Sequence, residues 1–383
     1  MIKAVNVFTI GDSRSPSTWS NLPYFLTETL ISKGIKVNRV DLSQSPVQEF
    51  LFNQTAMRLV RWIRPGSLFN HFHSGLHFWH ARKKIKRALK EHADADANIF
   101  LTFSFSSAGL TTKPTVLLCD WTVDYIIKYL HDREPDFLER SSIKRQDKLI
   151  EAADLVIELW RSNLGYMQQR YRNKNICQLG NTVNLFEMPN QSEILKLKAV
   201  SRDILFIGGK HYMEGAETLI LAYQKLVKDH PDVVLHIVGM RREDFVNLPG
   251  GVRCHGYLAK TDAEQGKVYY TLLRNAKVLV NTALKNGAYG AMFDAMFFYT
   301  PVITAPTSEC VAIFGDKIGF GFYCEENSAD LLYSKLKNIF GTPSYESLCE
   351  AAHDAVKSFT WDGYVERLLE RIEACVDEKP PSK

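Results

Sequence analysis

Phe206-Ile-Gly-Gly-Lys-His-Tyr-Met-Glu-Gly215 is the stretch on which the fold turns. The apolar run Ile204–Ile207 leads into it, and Ala216–Lys228 follows it with helical periodicity. The stretch therefore joins a buried strand to a helix through Gly208 and Gly209. A junction of this kind points main-chain N–H groups at an anion, with the helix dipole assisting, and Lys210 would add a full positive charge. On its own the segment fits a diphosphate cradle and an ordinary βα turn equally well.

Reading outward, strand-like and helix-like runs alternate. Pro231 punctuates, and Val234–Val238 is a strand ending at Gly239. Val252–His255 and Val278–Asn281 are further strands, separated by the helical stretch Ala263–Asn275. Ala291–Phe298 is helical, Pro301–Thr304 extended, and Ala329–Ile339 and Tyr345–Ser358 helical. The first half repeats the pattern in Val5–Ile10, Leu22–Lys33, Val37–Asp41, Ile99–Phe105, Thr115–Cys119, Arg140–Ala153 and Leu155–Leu159. Alternation of this kind predicts an α/β protein with two Rossmann-like, doubly wound parallel sheets. The predicted division is 1–188 and 198–360, with Pro189-Asn-Gln-Ser192 as linker.

Composition agrees with two cores. The chain has 383 residues, 45% apolar and 23% charged, where one domain takes about 100–200 residues. A net charge of +4 is too small to imply nucleic acid as a partner. The seven cysteines are scattered without a C-x-x-C pair, which predicts reduced thiols and no zinc site. The apolar run at Val5–Ile10 is too short for a signal peptide, and no run reaches the about 18–20 residues that span a bilayer. A cytoplasmic protein, at most peripheral on the inner face of the cell membrane, is expected.

A second informative segment is Asn286-Gly-Ala-Tyr-Gly-Ala-Met-Phe-Asp294-Ala-Met-Phe-Phe-Tyr-Thr-Pro301-Val-Ile. A glycine-containing loop enters a helix whose Asp294 is placed to accept from a ribose diol, or simply to lie in solvent. Taken together, these segments resemble the retaining glycosyltransferases of glycosyltransferase family 4. Gly208-Gly209 through Gly215 follows the family's strand–"GR"–x5–"G" loop. Asn286-x7-Asp294-Ala295-Met296-x4-Pro301-Val302-Ile303 keeps the register of "E-x7-E-A-M-x-x-G-x-P-V-I". His230-Pro231-Asp232 with Leu235-His236-Ile237-Val238-Gly239 resembles "HPDxxLxIVG", and Phe359-Thr360-Trp361 resembles "FsW". The match runs over about residues 200–375 and more loosely over 1–185. Departures fall on the donor site: the family's phosphate-binding Arg is Gly209, its Lys is Glu214, its first Glu is Asn286, its second is Asp294, and its glycine is Tyr299.

The resemblance implies a GT-B fold, with the two domains facing a cleft and a final helix (361–377) crossing back to the first domain. It implies a nucleotide-sugar donor held by Gly208, Gly209, Lys210, Gly287, Ala288, Tyr289, Gly290 and Asp294. It implies transfer to a glycan or lipid-linked acceptor with retention, in cell-surface polysaccharide synthesis, and no cofactor or metal beyond that co-substrate. Asn286 and Asp120 are the expected catalytic groups. Asp120 ends a strand where the family often has a histidine, and it would orient the donor sugar or meet developing positive charge; capping the next helix is the plainer role. Gly11, Asp12, Ser13 and Arg14, after the first strand, are expected on the acceptor side.

Between Ala56 and Lys90 lie nine Lys/Arg and no Asp/Glu, interleaved with Trp62, Phe72, Phe78 and Trp79. Phe78, Ala81, Ile85 and Ala88 fall on one helical face. That pattern suits an anionic membrane surface or a solvated helix. His71, His73, His77 and His80 within it have no carboxylate or cysteine nearby to complete a metal site. Two rival activities fit the same residues: a nucleotide-sugar isomerase of GT-B fold, and an inert sugar-nucleotide or glycan-binding scaffold.

Overall fold

The computed structural model describes residues 1–283 and 289–377. They form two compact units, Met1–Asn181 with the segment from Trp361 onward, and Thr182–Thr360.

Unit 1 holds six parallel strands: β1 (Ala4–Thr9), β2 (Lys36–Asp41), β3 (Ala97–Phe100), β4 (Thr115–Cys119), β5 (Leu155–Glu158) and β6 (Ile176–Cys177). Their order is β2-β1-β3-β4-β5-β6. All six residues of β1 are buried, as a parallel strand covered on both faces requires. Side chains alternate between faces. Val5, Val7, Ile99, Val116 and Leu118 join one core with Leu26, Leu30 and the final helix Trp361–Asp377. Phe8, Phe100, Leu117 and Val156 join the other, with Ala81, Ile85 and Ala88 from the helix Gly75–Glu91.

β3 stops at Phe100 and does not continue to Phe105. The Ser104 N–H donates to Thr102 Oγ1 at 3.0 Å, a local turn that competes with the sheet ladder. Leu101 N–H still donates to Phe8 O at 2.9 Å, and the turn takes over after it.

Unit 2 repeats the architecture with β7 (Asp203–Ile207), β8 (Val234–Val238), β9 (Val252–Gly256), β10 (Ala276–Asn281), β11 (Val302–Thr304) and β12 (Gly321–Tyr323). All are parallel, in the order β12-β11-β10-β7-β8-β9. The expected linker is corrected here. Asn190 is an N-cap whose side chain accepts from the Glu193 N–H at 3.3 Å, and it opens the helix Gln191–Val200. That helix belongs to unit 2 because Lys198 is fully buried. Its Nζ donates to Leu273 O (2.9 Å), Ala276 O (2.8 Å) and Thr300 Oγ1 (2.7 Å). The division between units therefore falls at 181/182; the polar run read as a linker is capping chemistry.

In each sheet the first strand is internal, second from an edge in unit 1 and fourth of six in unit 2, and the chain winds out from it in both directions. The direction reverses between β1 and β3 in unit 1, and between β7 and β10 in unit 2. At such a switch point the strand C-termini leave a crevice for a ligand.

Candidate functional site

The crevice of unit 1 is open. A cavity of about 370 Å³ lies against the ends of β1, β3 and β4, lined by Thr9, Ile10, Trp19, Phe72, Phe103, Trp121 and others. Leu101, Thr102 and Ser104 of the β3 turn line it too, with Cys119, Asp120 and Gln146. Trp121 is braced by Tyr125, Tyr129 and Trp160, at ring-centroid distances of 5.9, 6.0 and 5.7 Å. Trp19 stands at the start of three consecutive left-handed residues, with φ of 38°, 53° and 71° at Trp19, Ser20 and Asn21. Such backbone is costly for non-glycine residues and concentrates at binding sites.

Asp120 is the cavity's carboxylate. Its Oδ1 accepts from the Trp121 N–H at 2.9 Å and from the Cys119 thiol at 3.3 Å. Among the described residues Oδ2 makes no hydrogen bond, and no Lys or Arg lines the cavity. Burial raises the carboxyl above its ordinary pKa, opposed by the hydrogen bonds from the Cys119 thiol, the Trp121 N–H and its own backbone N–H. The helix-capping role is taken by Thr122, whose side chain accepts from the Tyr125 N–H. Asp120 therefore does not cap that helix. Gly11, Asp12, Ser13 and Arg14, expected on the acceptor side, are not among the residues that line this cavity. Asp12 and Arg14 face each other at 3.8 Å in solvent, and Ser13 is buried. The loop reaches the cavity through Trp19 instead.

In unit 2 the β7 turn sits close on β8. Gly208 N–H donates to Val238 O at 2.9 Å. Gly239 has φ +99°, and a Cβ there would lie 2.5 Å from Gly208 O. Gly208 N–H is therefore spent on the fold, which corrects its expected role as an anion donor. Gly209 N–H makes no hydrogen bond to the described residues. A side chain at Gly209 would meet only the His211 ring, at an ordinary 3.4 Å. Lys210–Tyr212 forms one tight turn before the helix Met213–Asp229. Lys210 Nζ pairs with Asp244 Oδ1 at 2.6 Å, so the loop's one cation already has a counter-ion.

Asp294 lies inward on the helix Tyr289–Phe297, 1% exposed. Its Oδ2 is ion-paired to Lys260 and accepts from Tyr269 OH at 3.0 Å. Burial, then the Asp294 charge, hold the Tyr269 phenol well above its usual pKa. Oδ1 is buried without a hydrogen bond, so one acceptor atom remains, enclosed. The solvated-Asp reading is wrong. Gly290 is exposed with open space where a Cβ would stand. Asn286, Gly287 and Ala288 lie outside the described residues, as does the side chain of Tyr289.

The basic stretch divides in two. The helix Gly75–Glu91 turns Ala81, Ile85 and Ala88 into the core, so its apolar stripe cannot enter a membrane. Its Lys84 donates to Ser43 O at 2.7 Å, Arg87 pairs with Glu91, and Lys83 lies 3.4 Å over the Trp79 ring. The preceding helices Pro46–Gln54 and Ala56–Ile63 instead expose Val47, Phe50, Leu51, Leu59, Trp62 and Ile63, Trp62 by 82%. His71 and His77 are buried with ring centroids 5.6 Å apart. Among the described residues no group of three or more His, Cys, Asp or Glu is placed to hold a metal. No described helix is long and apolar enough to cross a membrane.

Comparison with known proteins bears on unit 2 most directly. Residues 201–342 match the family model described as glycosyl transferases group 1. No curated protein sequence matches the chain. Among solved structures, sucrose-phosphate synthase from Thermosynechococcus elongatus superposes with a TM-score of 0.66 at 16% identity, covering 98% of this chain and 100% of that one. Anabaena HepE in complex with UDP and glucose gives 0.63 at 13% identity, covering 98% and 100%. S. aureus MnaA in a co-structure with UDP gives 0.54 at 11%, covering 100% of both. The fold is GT-B: two parallel six-stranded sheets flanked by helices. Together with the matched segment, it supports a glycosyltransferase.

Proposed function

We propose that the chain transfers a sugar from a nucleoside-diphosphate donor held by unit 2 to an acceptor held by unit 1. The observation that carries this is the β7 turn: the first strand of a doubly wound sheet, at its switch point, runs through Gly208-Gly209 into the helix Met213–Asp229, inside the segment matched to group 1 glycosyl transferases. The presence of UDP in the HepE and MnaA structures supports a nucleoside diphosphate as the ligand of this fold.

In the proposed reaction the bond from C1 of the sugar to the diphosphate oxygen breaks. An acceptor hydroxyl oxygen bonds to C1, and its proton passes to the departing phosphate. Retention by front-face attack follows from the family resemblance. Charge growing on the diphosphate is met by Gly209 N–H and the positive end of the helix dipole. Lys210 joins only by exchanging Asp244 for phosphate. Asp294 Oδ1 is the atom left for a ribose hydroxyl, once the enclosing side chains part. Asp120 stands in the acceptor cavity.

One specific observation favours a second reading, an inert nucleotide-binding scaffold. Gly209 and Glu214 replace the resembled family's two cations, and Lys210 is paired. Calorimetry with a panel of nucleotide sugars, followed by hydrolysis and transfer assays, tests both readings. Binding with transfer supports the enzyme, binding without turnover selects the scaffold, and turnover without acceptor selects an isomerase.

A glycan or lipid-linked acceptor at an anionic membrane is the setting we propose, as in cell-surface polysaccharide synthesis. The exposed Phe50, Leu51, Leu59, Trp62 and Ile63, flanked by Arg58 and Arg64, suit shallow insertion beside anionic headgroups. Trp62→Asp should reduce sedimentation with anionic vesicles. Replacing Lys83 and Lys86 by Gln should reduce it less. The reverse order would move docking back to the helix Gly75–Glu91.

A further inference from the structure

The cavity at the β1/β3 switch point has an electrostatic character that neither the fold nor the family match assigns. Asp120 is its one carboxylate. Oδ1 is fixed by the Trp121 N–H and the Cys119 thiol, and Oδ2 is left without a partner among the described residues. No Lys or Arg lines the walls; Trp19, Phe72, Phe103 and Trp121 do. The other lining groups that can titrate are held toward their neutral forms by burial, which pushes His73 down and the Cys119 thiol up. Arg145 is the nearest guanidinium to that histidine. It donates to His73 O and lies 5.7 Å over the Phe78 ring, outside the residues that line the cavity.

A carboxylate in a largely apolar hollow, with no counter-ion, is costly until a cation arrives. Aromatic faces attract the same kind of ligand, because the ring quadrupole is negative above the plane. A phosphate, carboxylate or sulfate would meet repulsion from Asp120 and find no donor charge. A neutral hydroxyl would supply one hydrogen bond and leave the charge uncompensated. The neighbouring Thr9, Thr102, Ser104 and Gln146 can serve the hydroxyls of a ring that carries the charge. The volume, about 370 Å³, is that of a small-molecule site.

We propose that this cavity binds an amine-bearing sugar or cyclitol, its ammonium paired with Asp120 and enclosed by the aromatic lining. The inference rests on the reading of unit 1 as the acceptor side, and it deepens that reading: the ammonium anchors the acceptor while a separate hydroxyl reacts. The sulfur of Cys119 takes no part beyond holding Oδ1.

The test uses the full chain and the tryptophan fluorescence of the cavity wall, titrated with glucosamine, glucose and N-acetylglucosamine. Glucosamine should bind at least about tenfold more tightly than glucose, the increment of one modest ion pair. N-acetylglucosamine, which lacks the charge, should fall back with glucose. Asp120→Asn should equalise all three while leaving UDP affinity unchanged, and Asp94→Asn, at an exposed carboxylate paired with Lys36, should preserve the preference. Equal affinity for glucosamine and glucose in the unmodified chain overturns the inference, and so does a preference that survives Asp120→Asn. Should that variant not fold, the comparison of glucosamine with its N-acetyl derivative in the unmodified chain still decides. A transfer assay with each ring separates the two readings. Amine binding through Asp120 without transfer retains the site and rejects the acceptor role. Transfer to neutral rings that does not need Asp120 retains the acceptor role and rejects this inference.

Discussion

Asp120 and Asp294 are the carboxylates assigned to the two switch-point regions, and their surroundings are opposite. Asp294 is 1% exposed, ion-paired to Lys260 and hydrogen-bonded by Tyr269. Asp120 borders a cavity, with Oδ1 held by its immediate neighbours and Oδ2 unengaged. One charge is balanced inside the protein and therefore holds unit 2 together. The other is unbalanced and therefore available to a ligand. Both units are six-stranded parallel sheets with a switch point, though their strand orders differ; that shared architecture does not dictate how a unit uses its strand ends, and the placement of one cation does.

The sharpest way to break this contrast is to remove that cation. Lys260→Met leaves Asp294 buried and unpaired and should cost unit 2 about 3–5 kcal/mol, read from its denaturant midpoint. Adding Asp294→Asn should recover most of the loss; no recovery would show that Lys260 acts through packing alone. Next in size is Gly239→Ala. With φ +99° and a Cβ 2.5 Å from Gly208 O, it should cost about 2–3 kcal/mol and displace the β7 turn, so that nucleotide affinity falls with stability.

Lys198 offers a third arrangement, a buried cation with no carboxylate. Burial, reinforced by Lys277, pushes its pKa down to about 7, and burial pushes that of Lys277 to about 8. The unfolded chain holds these protons up to an ordinary lysine pKa, so it binds more protons than the native state between about pH 7 and 10. Stability of unit 2 should therefore rise across that window, on the order of 1–3 kcal/mol from pH 7 to 9. Lys198→Met should flatten the rise; a slope unchanged in that variant would assign it elsewhere. The smallest effect is expected at Asp120→Asn, within about 1 kcal/mol of the unmodified protein or slightly stabilising. A large loss would mean that Asp120 has an internal partner after all.

Much of this was legible in the residues alone. Strand and helix alternation marks both sheets, since parallel strands buried on two faces read as unbroken apolar runs. The Gly208-Gly209 turn and the strand-end position of Asp120 are local features and stand where they were read. What was not legible depends on long-range meetings. Lys260 and Asp294 are 34 residues apart, and nothing in either segment signals the pair. Trp19, Phe72, Phe103 and Gln146 reach the cavity from separate parts of unit 1. The basic run 75–91 misled because an apolar stripe at helical spacing looks the same whether it faces lipid or a sheet. Asn190-Gln191-Ser192 misled because helix caps and linkers use the same polar residues.

The central claim is that a main-chain amide at the β7 turn grips the diphosphate of a nucleotide sugar. Gly209→Pro addresses that amide and little else. The native φ of −80° suits proline, the side-chain space is open, and the N–H makes no hydrogen bond to the described residues. Calorimetric titration of UDP and UDP-glucose into the unmodified chain and this variant should show saturable one-to-one binding in the first. In the second, affinity should be about tenfold lower or worse, with thermal stability unchanged. Equal affinity in the two proteins, or no binding to the unmodified chain by any common nucleotide sugar, would contradict the account.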